Sequence, residues 1–125
     1  MIAHLGLEGE DEHKTDEFYL EVLGMSKKDG FVLSAVLGKS LFGVDKEIEI
    51  LNYSKEDLFL EVFITGKKQQ NAYTHLCIEV DDRKAFIENC AKHGIEPTVG
   101  LKQGREIIFI KDFTGNRFEI KEKQK

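Results

Sequence analysis

The sequence predicts an α+β chain of two tandem βαβββ modules, residues 1–65 and 74–125, joined by a linker over 66–73. Three observations carry that expectation. His4-Leu-Gly-Leu-Glu8 and His75-Leu-Cys-Ile-Glu79 both read as strands that open on a histidine, alternate apolar residues on one face and run into a helix. Leu60-Glu61-Val62 and Phe118-Glu119-Ile120 both set a carboxylate between apolar neighbours in the closing strand of a module. Between these marks, turn-prone Gly, Asp, Asn and Ser separate short runs rich in aliphatic and aromatic residues.

In the first module, residues 2–8 form a strand with Leu5 and Leu7 on one face and His4, Gly6 and Glu8 on the other. Residues 11–23 follow as an amphipathic helix bearing Phe18, Tyr19, Val22 and Leu23, stopped by Gly24. Strands are expected over 31–37, 47–51 and 58–64. Gly66-Lys-Lys-Gln-Gln-Asn71 is polar and flexible, as a link between halves should be.

The second module repeats the order. Strand 74–80 leads into helix 82–93, which Asp81 or Asp82 caps and Gly94 ends. A weaker strand near 97–101 precedes a strong one at 106–110, the turn Asp112-Phe-Thr-Gly-Asn116 and a last strand at 117–121. The histidines are offset by 71 residues (75 less 4) and the closing glutamates by 58 (119 less 61), a difference assigned to longer loops in the first half. One helix per module covers the apolar sheet face and leaves the other face open.

Bulk properties bound the function. A chain of 125 residues with 41% hydrophobic residues and a single proline is one compact domain. Its net charge of −5, with 23 acids and 18 bases mixed along the chain, provides no basic stripe for nucleic acid. Two cysteines in apolar segments point to a reduced, cytoplasmic protein. No apolar run reaches the roughly 18 residues of a membrane span, and no signal-peptide pattern opens the chain, so neither membrane nor secretion is expected.

His4 and His75 fall on the open faces, as do Glu61 and Glu119. A carboxylate among apolar neighbours is costly to bury unless it is hydrogen-bonded or ligates a cation. Two imidazoles and two carboxylates suit one divalent ion such as zinc, nickel, cobalt, manganese or iron. Each residue alone reads more simply as structural or solvent-facing; the repetition in both halves favours ligation. His13 and His93 read as exposed helix-end residues, and Cys77 has no evident base beside it. Gly100-Leu-Lys-Gln-Gly104 lacks the signature of a phosphate loop and reads as a hairpin loop.

Taken together, His4-Leu-Gly-Leu, Phe18-Tyr-Leu-Glu-Val-Leu-Gly-Met25, Leu60-Glu-Val-Phe63, His75-Leu-Cys-Ile-Glu-Val-Asp-Asp82 and Phe109-Ile-Lys-Asp-Phe-Thr-Gly-Asn116 with Phe118-Glu-Ile120 resemble the vicinal oxygen chelate superfamily. That superfamily includes glyoxalase I, bleomycin-resistance proteins, fosfomycin-resistance proteins and extradiol dioxygenases. The resemblance implies βαβββ modules with curved mixed sheets around a metal-containing cleft, often in a homodimer. It implies His4, Glu61, His75 and Glu119 as the ligands of the glyoxalase-like branch, whereas the fosfomycin-resistance and dioxygenase branches typically use two His and one Glu. It implies a metal-dependent lyase or isomerase acting on a small α-oxygenated carbonyl compound, with Glu61 and Glu119 as catalytic bases. Two alternatives belong to the same superfamily: a non-catalytic pocket that sequesters a drug or metabolite, and a thiol transferase of the fosfomycin-resistance type. Bacterial glyoxalase I enzymes typically place Arg and Asn where this chain has Glu8 and Thr65. An acid in place of a cation repels glutathione carboxylates and argues against the glutathione adduct as substrate.

Overall fold

The computed structural model describes residues 1–124; Lys125, the last residue of the second module as drawn from sequence, lies outside the described residues. The chain forms two compact units, Met1–Lys68 and a second that begins at Gln69. In the first, β1 (Leu5–Gly9) leads to α1 (Glu12–Asp16), which widens into a π-helical segment over Glu17–Val22. Then come β2 (Ser26–Leu33), α2 (Ala35–Phe42), β3 (Ile48–Lys55) and β4 (Leu58–Ile64). The second contains β5 (His75–Val80), α3 (Arg83–Lys92), β6 (Thr98–Lys102), β7 (Arg105–Lys111) and β8 (Arg117–Glu122). Each sheet is mixed and four-stranded, ordered β1-β4-β3-β2 and β5-β8-β7-β6, with the opening strand parallel to the closing one. The architecture is the α+β, two-module fold that the sequence repeat predicts. Among the described residues, no helix is long and apolar enough to cross a membrane.

Asp11 caps α1 by accepting a hydrogen bond from the Lys14 N–H at 2.8 Å. The π-helical segment has a packing cause. Phe18, Tyr19, Val22 and Leu23 are all buried, and a widened turn gathers this broad set on one face more closely than 3.6 residues per turn does. They pack with Leu51, Tyr53, Leu60 and Val62, also buried, and the Tyr19 and Tyr53 rings lie 5.2 Å apart. In the second unit Phe118, Ile120, Ile108 and Ile110 form the matching core with Cys90 of α3 and Ile95. The Asp112 carboxylate fixes the β7–β8 turn. Its Oδ1 accepts the N–H groups of Thr114, Gly115 and Asn116 at 2.8–3.0 Å, and its Oδ2 accepts the Asn116 side-chain amide.

One segment departs from expectation. The strand expected over 31–37 stops at Leu33, and Ala35–Phe42 is a helix, so the first unit runs βαβαββ and part of its extra length is α2. Ser34 Oγ accepts from the Leu37 N–H at 3.2 Å, and Gly43 ends the helix at φ +73°. Both caps stand in the sequence; the run of Val and Leu between them masked the helix. A second irregularity is a bulge in β2 between Lys28 and Phe31, where a Cβ on Gly30 would stand 2.3 Å from the Ile50 carbonyl oxygen. Remaining strand and helix ends agree with expectation to within a few residues, apart from β2, which starts earlier, and β3, which extends to Lys55.

Tyr53 shows how the first unit's core is tied to its helix. Its hydroxyl donates to Asp16 Oδ1 at 2.6 Å, and Lys27 bridges Asp16 and Glu12 at 3.0 and 2.7 Å. Burial, then the Asp16 hydrogen bond and charge, hold the phenol far above its ordinary value of 10.0. A raised folded-state value contributes stability that is complete below about pH 10 and is lost as pH rises above it. Tyr53→Phe should therefore cost about 1–3 kcal/mol at pH 7 and lessen the alkaline loss, measured by urea unfolding at pH 7 and pH 10.5. An equal alkaline loss in both proteins would contradict this.

Candidate metal centre

Residues paired across a ladder share a sheet face, so the register assigns every side chain to the helix-covered face or the open one. In the first unit Gly6 pairs with Glu61 and Asn52 pairs with Glu61 from the other side. His4 stands one pleat before Gly6, and with no side chain at Gly6 its imidazole reaches Glu61 diagonally: His4 Nε2 lies 3.2 Å from Glu61 Oε1. The second unit repeats this arrangement. Cys77 pairs with Glu119 and Phe109 pairs with Glu119 from the other side. His75 stands one pleat before Cys77, and its Nε2 lies 3.9 Å from Glu119 Oε1. Each unit thus holds its own His–Glu pair at one register position, with the imidazole half-exposed and the carboxylate less so.

The donor geometry fits a divalent ion. Two ligand atoms at roughly 2.0–2.2 Å from one ion stand about 3.0 Å apart at right angles and about 3.4 Å apart in a tetrahedron. The first pair lies between those values, and the second needs a side-chain adjustment of about half an ångström. His75 is also prepared electronically. Its Nδ1 is 2.8 Å from the Tyr73 carbonyl oxygen, and because a carbonyl only accepts, Nδ1 is the donor in this contact. In the tautomer that donates from Nδ1, Nε2 presents its lone pair toward Glu119, an arrangement of two electron-pair donors that a cation could bridge. The Phe109 ring, edge-on to His75 with centroids 5.1 Å apart, holds the imidazole in place.

The register also decides among the other acids. Glu49 shares its face with Leu51 and Tyr53 and not with Asn52, so it lies on the side of the sheet away from Glu61. Glu8 pairs with Phe63 and Glu79 with Lys121, both on the open faces but four residues beyond the histidines, about 13 Å along the strand. Glu8 and Thr65 together line a cleft of about 340 Å³ with Phe63 and, from the unforeseen helix, Phe42. The rings of Phe42 and Phe63 meet edge to face at 5.3 Å. Lys46 and Lys67 also line this cleft, so Glu8 is not its only charge. Burial and then the Glu119 carboxylate push the Cys77 thiol up, which keeps it protonated and unsuited to nucleophilic attack. Sequence reasoning passed over Phe109 and Asn52, the cross-strand neighbours of the two glutamates. Phe109 was readable, since it alternates with buried Ile108 and Ile110.

The sequence matches the family described as the Glyoxalase/Bleomycin resistance protein/Dioxygenase superfamily over residues 3–110. The chain belongs to that superfamily. Among solved structures, a glyoxalase family protein from Enterococcus faecalis is 20% identical with a TM-score of 0.73, covering 96% of this chain and 95% of that one. A variant of the fosfomycin resistance protein FosX from Listeria monocytogenes, complexed with Mn(II) and 1S,2S-dihydroxypropylphosphonic acid, is 18% identical with a TM-score of 0.74 over 99% and 92% of the two chains. FosX from Mesorhizobium loti is 15% identical with a TM-score of 0.70 over 97% and 90%. At these identities the likeness is one of fold. No curated protein matches the sequence.

In competing metal titrations, Glu61→Gln should weaken divalent-ion binding at least tenfold and Glu49→Gln should leave it within twofold. Greater weakening by Glu49→Gln would show that the open face is not the ligating one.

Proposed function

We propose that the chain is a metal-dependent lyase or isomerase of the glyoxalase type, acting on a small α-oxygenated carbonyl compound, with His4, Glu61, His75 and Glu119 as the ligands of one divalent ion. The observation that carries the reading is the repeated His–Glu pair, found at the same register position in both units. A bound divalent ion supplies Lewis acidity to the substrate's paired oxygens. The protein supplies the rest. Glu61 and Glu119 are the acid and base candidates, since each sits on an open face with water access and each carboxylate can take a proton at Oε1 or Oε2. The Tyr73 carbonyl accepts from His75 Nδ1, which would leave Nε2 to hold the ion. Phe42 and Phe63 give part of the first unit's open face an aromatic lining. Glu8 and Thr65 support a substrate other than the glutathione adduct of methylglyoxal. A cytoplasmic homodimer belongs to the same proposal, supported by the superfamily likeness and the short polar linker.

The FosX likeness supports a second reading, the opening of a small oxirane by water or a thiol on the same metal site. One experiment separates them. Metal-loaded protein in D2O is given glycolaldehyde, dihydroxyacetone, the glutathione adduct of methylglyoxal and fosfomycin, with proton and phosphorus spectra followed over time. Deuterium should enter at the α-carbon of a hydroxycarbonyl compound, and Glu61→Gln and Glu119→Gln should each slow it at least a hundredfold, while the glutathione adduct stays unchanged. Loss of fosfomycin alone would favour the second reading; binding without any turnover would favour a sequestering protein.

A further inference from the structure

The open face of the second sheet is basic in a chain whose net charge is −5. Pairing with Glu119 and its neighbours places Lys102, Arg105, Lys111, Arg117 and Lys121 on that face, against Glu79 and Glu119. Two of the cross-strand pairs are cation on cation. Lys111 stands opposite Arg117, whose guanidinium donates to Asn71 Oδ1 and the Gln70 carbonyl. Lys102 stands opposite Arg105 and closes a two-residue turn in which Gln103 and Gly104 both have positive φ, at +54° and +76°. Like charges directly opposite each other destabilise a hairpin, and a non-glycine residue at positive φ adds strain. Among the described residues, neither Lys102, Arg105 nor Lys121 has a carboxylate within ion-pair distance.

Protection of an exposed edge accounts for one of these residues only. β6 is the edge strand, and a lysine there discourages pairing with another chain. Arg105 and Lys121 lie on the interior strands β7 and β8, where no edge needs blocking. All three cations line a trough of about 840 Å³ together with His75, Phe109, Arg83 and the carboxylates Glu106, Glu119 and Glu122. Lys121 is two residues beyond Glu119 on the same strand, about 7 Å along it, within the reach of a lysine stem.

We propose that Lys102, Arg105 and Lys121 form an oxyanion subsite on the open face that carries the His75–Glu119 pair, with Lys121 next to Glu119 and Lys102 and Arg105 about 13 Å along the strands from its level, so that the substrate carries a carboxylate, phosphate or phosphonate group. This rests on the reading that the pair belongs to the reaction centre, but the subsite binds through side chains and does not need the ion. The guanidinium of Arg105 takes two oxygens of the anion, and the two ammonium groups complete its neutralisation.

The test is titration of the full-length protein with inorganic phosphate, acetate and glycerol, followed by amide chemical shifts, with and without prior chelator treatment. Phosphate or acetate should shift β6, β7 and β8 amides in both preparations, while glycerol should not; which anion binds more tightly tells a phosphorus oxyanion from a carboxylate. Arg105→Gln and Lys121→Gln, both solvent-facing changes, should each weaken the binding at least fivefold, and Lys67→Gln in the first unit should leave it unchanged. Equal binding by all three variants, or shifts with no preference for these strands, would overturn the subsite. Loss of metal binding with anion binding intact would instead count against the metal centre and leave the subsite standing.

Discussion

Everything proposed for this protein depends on a parallel ladder between the first and last strands of each unit. Gly6 opposite Glu61 and Cys77 opposite Glu119 are the same register solution reached twice, and each brings a histidine one pleat upstream into diagonal contact with a carboxylate. A slip of one residue in either pairing would turn the histidine or the glutamate toward the helix, because side chains alternate along a strand. The cores set the register. Leu60 with Val62, and Phe118 with Ile120, are buried under the helices and leave the intervening glutamate no choice of face.

On this common frame the two open faces have diverged. The first is apolar and aromatic, with Phe31, Leu33, Ile48, Ile50 and Phe63 sharing the face of Glu61 and α2 laying Phe42 against it. The second carries no such helix and is lined by cations. The internal repeat therefore extends to the His–Glu pairs and not to their surroundings. The Asp112 turn holds β7 against β8 and so keeps Phe109 beside Glu119 and His75.

The repeat was legible because period-2 alternation survives in both copies: Leu76, Ile78 and Val80 against His75, Cys77 and Glu79 is a pattern that only a half-covered strand satisfies. Of the four candidate ligands only Glu61 is the lone polar residue of its strand; His4, His75 and Glu119 were legible because each recurs at the matching place in the other copy. What could not be read was pairing. Alternation along Ile48–Leu51 separates Glu49 from Ile48 and Ile50 without saying whether it shares a face with Glu61, and only the β3–β4 register, with Asn52 opposite Glu61, assigns it to the other face. The basic face was hidden likewise, since Lys102, Arg105 and Lys121 are scattered along the chain and meet only when the sheet forms. α2 was missed because Val36 and Leu37 continue an apolar run begun in β2, and local propensity favoured a strand where Ser34 and Gly43 impose a helix.

The central claim is the proposal that His4, Glu61, His75 and Glu119 are ligands of one divalent ion, and metal stoichiometry tests it most directly. Calorimetric titration of chelator-treated protein with a divalent ion should give about one ion per chain, and His4→Ala and His75→Ala should each abolish that binding. Two ions per chain binding independently, or full binding after either substitution, would contradict it.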